Sequence, residues 1–438
     1  MKLPDITSQR FNASLVFFQK LAHTGLTFLT AIVLARITGA EGYGAYAFAI
    51  SWVTITTLLG MLGFDKLLIR ELAKYFSDER HAEAGGMLRK ADQIVLGVSG
   101  IVGLLMAAVG LLLIYFTDEK LGYALLLAIP IMPMLAIMRL RQSAMEGRNM
   151  AGYGNFPELV IMPALLIIAI GGGYLFWQSD FTAYHALILQ WVAAAIALMT
   201  GHWQLRKYIR PGIYDAEPVY HTKEWVAEAL PLVLISGLYV INANTDTIML
   251  GFLRDSDHVG IYAAANKATS LIVFVQLAVN KTLSPDFSSL YHQGLIQKLQ
   301  ALVTRSVRWM SLASAVMAGL LILVGPLYFW LYGPEFSEGY TPLIILCVAK
   351  AVTSAMGSVS FLLIMTGHQR VAARNVGISA AINIILNATL IPMLGVVGAA
   401  LATAGSLLIL NVLQTVAVYK KTGINPTVFK KIERSPIS

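Results

Sequence analysis

Long apolar segments recur along the whole chain and are separated by short polar stretches. Twelve of them are as long as a membrane-spanning helix, which needs about 20 mostly apolar residues. They lie at residues 13–36, 44–64, 92–116, 121–140, 157–177, 182–202, 229–252, 261–284, 307–331, 341–365, 374–393 and 396–419. Runs such as 101–115 and 160–174 do not alternate between polar and apolar residues, as the strands of a membrane β-barrel would. The pattern predicts an all-α polytopic membrane protein with about 12 transmembrane helices.

The composition excludes several other classes of protein. Of the 438 residues, 57% are hydrophobic and 13% are charged, whereas soluble domains average about 45–50% and about 25%. A soluble enzyme and a disordered chain are therefore excluded, and so is a disulfide scaffold, because Cys347 is the single cysteine. The first apolar segment is longer than a signal-peptide core and no small-residue cleavage site follows it. We therefore expect it to stay on the protein as the first helix.

Lysine and arginine are distributed unevenly between the segments that join the predicted helices. With the N-terminus placed inside, the inner segments carry 26 of the 32 basic residues and the outer loops carry 3. Cytoplasmic loops are enriched in lysine and arginine, so this asymmetry predicts that both termini are cytoplasmic. The net charge of +8 then reflects membrane topology, and no nucleic-acid partner is expected.

The two halves of the sequence resemble each other. Residues 43–49 (YGAYAFA) and 259–265 (VGIYAAA) occupy the same place after the first helix of each half. Chance similarity among glycines and alanines is the alternative, but the loop lengths of the halves also agree. We predict an N-terminal six-helix lobe at 1–210, a cytoplasmic linker at 211–228, and a C-terminal lobe with a cytoplasmic tail at 229–438. The lobes would be two pseudo-symmetric bundles around a central cavity, as in transporters built from parallel repeats.

Several lysines fall inside the predicted helices. A charge at the bilayer centre costs at least about 2.5–3.5 kcal/mol, so each of them needs a physical reason. Lys20 and Lys350 have no obvious acidic partner at their depth, and we predict that they bind the anionic head group of a substrate in a water-filled cavity. Lys267 is a third candidate for this role. A salt bridge between Lys267 and Asp246 is an equally good explanation of that pair.

Other polar residues in the helices suggest two further roles. His23 and Asp246 are candidates for coupling to an ion gradient, although a hydrogen-bonded helix contact is the more common role for such a histidine. Asn383 and Asn387 belong to a stripe on the eleventh helix that repeats every four residues from Asn375. They are candidates for binding sugar hydroxyls, and packing against neighbouring helices is the favoured alternative for most of the stripe.

Some chemistry is not expected from this sequence. It contains no Walker A motif, so we expect no ATP hydrolysis through a P-loop. The eight histidines are scattered, and neither a metal nor another cofactor is predicted. The segments outside the membrane are too short for a soluble catalytic domain. The chain is therefore predicted not to be an enzyme.

Three motifs carry a resemblance to a known family. They are TGAEGYGAY at 38–46, LYGPEF at 331–336, and NIILNATLIP at 383–392 with GVVGAA at 395–400. Together with the length and the twelve predicted helices, they resemble the oligosaccharide (O-antigen type) flippases. These form the polysaccharide transporter family of the multidrug/oligosaccharidyl-lipid/polysaccharide exporter superfamily.

The resemblance implies a function in the bacterial inner membrane. Such proteins translocate undecaprenyl-diphosphate-linked oligosaccharides from the cytoplasmic to the periplasmic leaflet by alternating access, driven by an ion gradient. The implied partners are this lipid, the membrane lipid, a polysaccharide polymerase and a chain-length regulator. Multidrug exporters are one alternative, but their cavities favour acidic residues, whereas the charges inside these helices are mostly lysine. A membrane-embedded polymerase or glycosyltransferase is another, with Glu335 and Glu338 as the acidic pair to consider.

Overall fold

The computed structural model of the protein describes residues 6–209, 213 and 217–429, and this part of the chain forms helices and no strands. The helices are α1 (Ile6–Met61), α2 (Phe64–Ser77), α3 (His81–Phe116), α4 (Glu119–Ala128), α5 (Ile131–Gly147), α6 (Ala151–Phe156), α7 (Met162–Trp177), α8 (Ala183–Tyr208), α9 (Thr222–Leu253), α10 (Ser256–His292), α11 (Ile296–Tyr332), α12 (Tyr340–Ser354), α13 (Val359–Met365) and α14 (Gln369–Thr422). A π-helical turn at Pro157–Ile161 joins α6 to α7.

Two of these helices are longer than a bilayer requires because each contains a sharp bend at a glycine. The backbone of Gly39 in α1 has φ 72° and ψ −176°, and that of Gly395 in α14 has φ 55° and ψ −129°. Glycine adopts such positive φ values without the steric cost that a Cβ atom would add. The bends divide α1 and α14 into two helical halves each, so the predicted pairs of spans are joined without an intervening loop.

The helices have the length and composition of membrane spans. Among the described residues, seven helices are long and apolar enough to cross a membrane, or nine if each of two bent pairs is one span. Their outward side chains are apolar, for example Leu104, Leu175 and Leu323, which are 73%, 79% and 77% exposed. Such faces are suited to lipid rather than to water. The chain is an all-α polytopic membrane protein, and the predicted fold class is confirmed.

Contacts within the chain divide it into two compact units, Met1–Val240 and Ile241–Ser438. The division falls inside α9. The lobe boundaries expected from the sequence, with a linker at 211–228, stay a prediction.

The helices of the second unit follow the order of those in the first. Helix α3 (81–116) corresponds to α11 (296–332), each being a single long helix. The broken pair α4 and α5 corresponds to α12 and α13, which are interrupted at 355–358. The bend at Gly39 corresponds to the break between α9 and α10. The matched order agrees with the internal repeat in the sequence.

Each unit has its own apolar core. In the first unit, α2 is amphipathic and buries one face that includes Phe64, Leu68 and Leu72. The Trp225 indole N–H at the start of α9 donates to the Tyr75 hydroxyl of α2 at 3.2 Å. In the second unit, the core residues come from α10, α11, α13 and α14 and include Phe287, Leu299, Val303, Leu362 and Val418.

Candidate functional site

A buried carboxylate forms the centre of a polar cluster in the second unit. Asp246 on α9 is 3% exposed. Its Oδ1 atom accepts hydrogen bonds from the Nδ2 atoms of Asn383 and Asn387, at 2.9 and 2.6 Å. Its Oδ2 atom accepts from the hydroxyls of Tyr262 and Thr403, at 2.9 and 2.5 Å. We refer to these five residues as the Asp246 cluster.

The bend at Gly395 allows α14 to supply three of the four donors. Asn387 and Thr403 are each eight residues from the bend, on opposite sides of it. In a straight helix, sixteen residues would separate them by about 24 Å along the axis. The bend returns the second half of α14 beside the first, so that both halves reach the same carboxylate.

Two further features characterise this bend in α14. A Cβ atom on Gly398 would lie 2.2 Å from the carbonyl oxygen of Leu390, so the halves approach each other too closely for any larger residue there. The guanidinium of Arg254 donates to the carbonyl oxygens of Ile391 and Pro392, at 3.3 and 2.5 Å. These carbonyls belong to the first half of α14, close to the bend.

The two asparagines of the cluster face protein in this conformation. Asn383 and Asn387 are 1% and 0% exposed. Asn387 Nδ2 also donates to Asn383 Oδ1 at 3.0 Å, and Asn383 Nδ2 donates to Ser406 Oγ at 3.3 Å. Asn387 Oδ1 is buried and has no hydrogen-bond partner among the described residues. These contacts match the packing alternative for the stripe, and the proposed role in sugar binding stays a prediction.

The Asp246 cluster can accommodate two protonation states. The four donors found among the described residues are all neutral. The hydroxyls of Tyr262 and Thr403 are 3.0 Å apart, and either can donate to the other. Because a hydroxyl can both donate and accept, these two can donate to a carboxylate or accept from a protonated carboxyl group. The two hydroxyls can therefore bond this side chain either as donors or as acceptors.

A lysine lies along the same polar face of α10. The Lys350 amino group on α12 contacts the Thr269 hydroxyl and lies 3.4 Å from Asn266 Oδ1. Lys350 is half-buried, and the ion pairs found among the described residues do not include it. Tyr262, Asn266 and Thr269 are spaced by four and three residues, which places them on one face of α10. This face joins the Asp246 cluster to Lys350.

Three predicted site residues remain, Lys267, Lys20 and His23. Lys267 on α10 is half-buried, and its carbonyl accepts from the Ser270 hydroxyl at 2.6 Å. Lys20 is exposed and His23 is half-buried, both on α1 in the first unit. The structure thus joins Asp246, Asn383 and Asn387 directly and relates Lys350 to them through α10. The roles assigned to Lys20, His23 and Lys267 stay predictions.

The first unit carries a related but uncharged arrangement. The Tyr46 hydroxyl, at the position that matches Tyr262 in the repeat, donates to Gln190 Oε1 on α8 at 2.7 Å. Thr30 occupies the position that matches Asp246, and its hydroxyl donates to a carbonyl of its own helix at 2.8 Å. The carboxylate is therefore a feature in which the second unit differs from the first.

Sequence reasoning did not identify four participants, Tyr262, Thr403, Asn266 and Thr269. The repeated tyrosine of the YGAY and GIYA segments was the available signal for Tyr262. The spacing of four and three residues on α10 was the signal for the other two residues of that helix. Thr403 carried no comparable signal, because it meets Asp246 only through the bend in α14.

Two other kinds of site, a metal centre and an acidic pair, can be compared with the geometry. Among the residues that the structure describes, no group of three or more His, Cys, Asp or Glu side chains could hold a metal ion. Glu338 is exposed in the turn Pro334–Gly339. It lines an open cleft of about 460 Å³ together with Arg254 and His258, so a guanidinium shares its surroundings.

Sequence comparison connects the chain to glycan biosynthesis. The family described as polysaccharide biosynthesis protein matches residues 11–291. The chain is 24% identical over 409 residues to the Haloferax volcanii protein named "Probable low-salt glycan biosynthesis flippase Agl15". This match covers 91% of the chain and 81% of that relative.

Solved structures share the fold. An inward-facing multidrug resistance transporter of the MATE family, in the MOP superfamily, superposes with a TM-score of 0.78 at 13% identity, covering 92% of this chain and 94% of the transporter. The lipid II flippase MurJ in an inward closed conformation superposes with a TM-score of 0.65 at 14% identity, covering 93% of this chain and 87% of MurJ. These identities establish a common fold.

Proposed function

The chain belongs to the polysaccharide biosynthesis protein family, and we propose that it is a flippase that moves a lipid-linked glycan across the membrane. It has the fold of membrane transporters and is a transporter rather than an enzyme. The family predicted from the three motifs is confirmed. The relative named as a glycan biosynthesis flippase supports the proposed activity.

The proposed substrate is an undecaprenyl-diphosphate-linked oligosaccharide. The protein would lie in the bacterial inner membrane with both termini in the cytoplasm, and it would transfer this lipid from the cytoplasmic to the periplasmic leaflet by alternating access. The glycan would then serve the synthesis of O-antigen, capsule or exopolysaccharide. A polysaccharide polymerase and a chain-length regulator are the partners that this pathway requires.

The observation that carries the proposal is the environment of Lys350. Its amino group is half-buried in a membrane helix, and its partners, Asn266 and Thr269, are neutral. A charge in this position is costly unless it is compensated. A diphosphate supplies compensating negative charge and accepts charge-assisted hydrogen bonds. In this proposal, Lys267 on α10 attracts the same anionic group, and Asn383 and Asn387 hold Asp246 in place. Lys20 on α1 stays a separate candidate for binding an anion.

Coupling to an ion gradient is assigned to Asp246 in this proposal, with His23 as a second candidate. The Asp246 cluster supports the assignment because its hydroxyls can serve either protonation state of the carboxyl group. A buried ionisable group inside a membrane helix is also costly unless function retains it.

Leaflet exchange in liposomes tests the proposal. The purified protein is reconstituted with a fluorescent diphosphate-linked oligosaccharide lipid, and an impermeant quencher reports which leaflet the lipid occupies. We expect protein-dependent exchange that falls at least tenfold in Lys350→Gln, because one charge-assisted hydrogen bond contributes about 1.5–3 kcal/mol. Lys298→Gln, which changes an exposed lysine near the start of α11, is the matched control and should exchange normally.

Two outcomes would contradict different parts of the proposal. Absence of exchange, with or without an imposed proton or sodium gradient, would refute the flippase activity. Normal exchange by Lys350→Gln would leave the activity intact and refute the role of Lys350 in binding the diphosphate.

A further inference from the structure

Helix α8 in the first unit exposes a row of apolar side chains along its length. Its members are spaced by three or four residues and therefore lie on one face of the helix. They are Ile188, Val192, Ile196, Met199 and Trp203, with exposed fractions of 41%, 53%, 41%, 70% and 56%. In a membrane-spanning helix such a row lies along the acyl chains of lipids.

This row leads to a surface cavity at the C-terminal end of α8. The cavity measures about 410 Å³ and is lined by Ile137, Leu198, Met199, His202, Trp203 and Arg206. Ile137, Leu198 and Met199 make one end of the lining apolar, and His202 and Arg206 make the other end polar. The cavity therefore has the two-part character that an amphipathic ligand requires.

The polar end carries positive charge. Arg206 is exposed and takes part in none of the ion pairs found among the described residues. The amino group of Lys207 lies 4.8 Å from the ring centroid of Trp203 and 5.3 Å from that of Tyr208. Tryptophan and tyrosine beside basic residues are typical of the boundary between the hydrocarbon region and the head groups.

We propose that this cavity binds an anionic membrane phospholipid. One acyl chain follows the apolar row on α8, and the phosphate contacts Arg206 at the rim beside His202. Basic pockets between membrane helices on the cytoplasmic side are suited to anionic head groups. Charge complementarity favours an anionic over a zwitterionic lipid, because Arg206 and Lys207 together place two positive charges at this end. The site is independent of the proposed transport of glycolipids.

Native mass spectrometry of the full-length protein tests this site. Detergent-purified protein is titrated with phosphatidylglycerol and, separately, with phosphatidylcholine of the same chain length. We expect phosphatidylglycerol to bind more tightly, and Arg206→Gln to weaken it about fivefold, as expected for one basic residue near an anionic head group. Arg206→Lys keeps the charge and should retain most of the preference.

A matched control and a competition complete the test. Lys420→Gln removes an exposed charge from the last turn of α14 and should bind phosphatidylglycerol as the wild type does. Equal binding of both lipids, or unchanged binding by Arg206→Gln with an unchanged melting temperature, would overturn the proposal. Displacement of phosphatidylglycerol by a lower concentration of polyprenyl diphosphate would also overturn it and assign the cavity to the transported lipid.

Discussion

Replacing Asp246 by asparagine separates the charge of the Asp246 cluster from its shape. The asparagine oxygen can take the place of Oδ1 and keep both bonds from Asn383 and Asn387. The new amide nitrogen then faces the hydroxyls of Tyr262 and Thr403. Because these hydroxyls can rotate to accept, all four contacts have a neutral substitute.

These contacts also determine how much each substitution of Asp246 should change the free energy of unfolding. Asp246→Asn should change the free energy of unfolding by no more than about 1 kcal/mol, since no buried group loses its partner. In Asp246→Ala the acceptor disappears, and the four donors are left with their second contacts. The Tyr262 and Thr403 hydroxyls can bond each other, but only one of them donates in that bond, so the other loses its acceptor. Asn387 keeps Asn383. Asn383 keeps only the longer 3.3 Å bond to Ser406. The free energy of unfolding of the alanine variant should therefore be about 1–3 kcal/mol lower than that of the wild type.

The assay measures stability and transport on the same preparations. Thermal unfolding in detergent gives the stability of each variant, and the liposome assay gives exchange with and without an imposed gradient. We expect Asp246→Asn to retain exchange without a gradient and to lose stimulation by the gradient. Glu338→Gln removes an exposed carboxylate outside the cluster and should behave as the wild type in both measurements.

Specific results would refute this reasoning. Severe destabilisation of Asp246→Asn would show that the hydroxyls do not rotate to accept. Full stimulation by the gradient in Asp246→Asn would exclude Asp246 as the coupling residue, and the same result in His23→Ala would exclude ion coupling through either candidate.

Two further predictions concern stability outside this cluster. The carboxylate of Glu71 on α2 accepts hydrogen bonds from Arg70 and Lys74, each at 2.8 Å. Burial raises the pKa of this carboxyl group, but the two cations lower it by more, so the pKa lies below the ordinary 4.5. Glu71→Gln should therefore lower the free energy of unfolding by about 1–2 kcal/mol at pH 7. The difference in melting temperature between wild type and variant should shrink as the pH falls below about 4.5, where the wild-type carboxylate becomes protonated. A difference that grows at low pH would contradict this. Gly398→Ala should lower the free energy of unfolding by about 3 kcal/mol or more, because the added methyl group would overlap a backbone carbonyl. Gly405→Ala is the control and should fold normally, since its methyl group would meet only the tip of a leucine side chain at 3.3 Å. Equal melting temperatures of the two alanine variants would refute the close approach at the bend.

The helices were predictable because a bilayer imposes a length and a composition on every span. The apolar pattern separated 13–36 from 44–64 and 374–393 from 396–419, and the structure has a bend inside each of these pairs. The sequence did not indicate that each bend would consist of one non-helical residue instead of a loop. A single glycine at a positive φ accomplishes this, and glycine is too common in membrane helices for its position alone to reveal it.

The Asp246 cluster was only partly predictable because periodicity describes one helix at a time. The four-residue spacing placed Asn383 and Asn387 on one face, but it did not specify what that face would meet. Their partner is on α9, and the fourth donor, Thr403, lies beyond the bend at Gly395. The repeat supplies a stronger argument, since Thr30 takes the place of Asp246 in the first unit and bonds its own helix. The first unit builds its fold with a hydroxyl that bonds its own helix at this position, so a buried carboxyl group there is not needed to build the fold. The difference between these two positions therefore supports a functional role for Asp246.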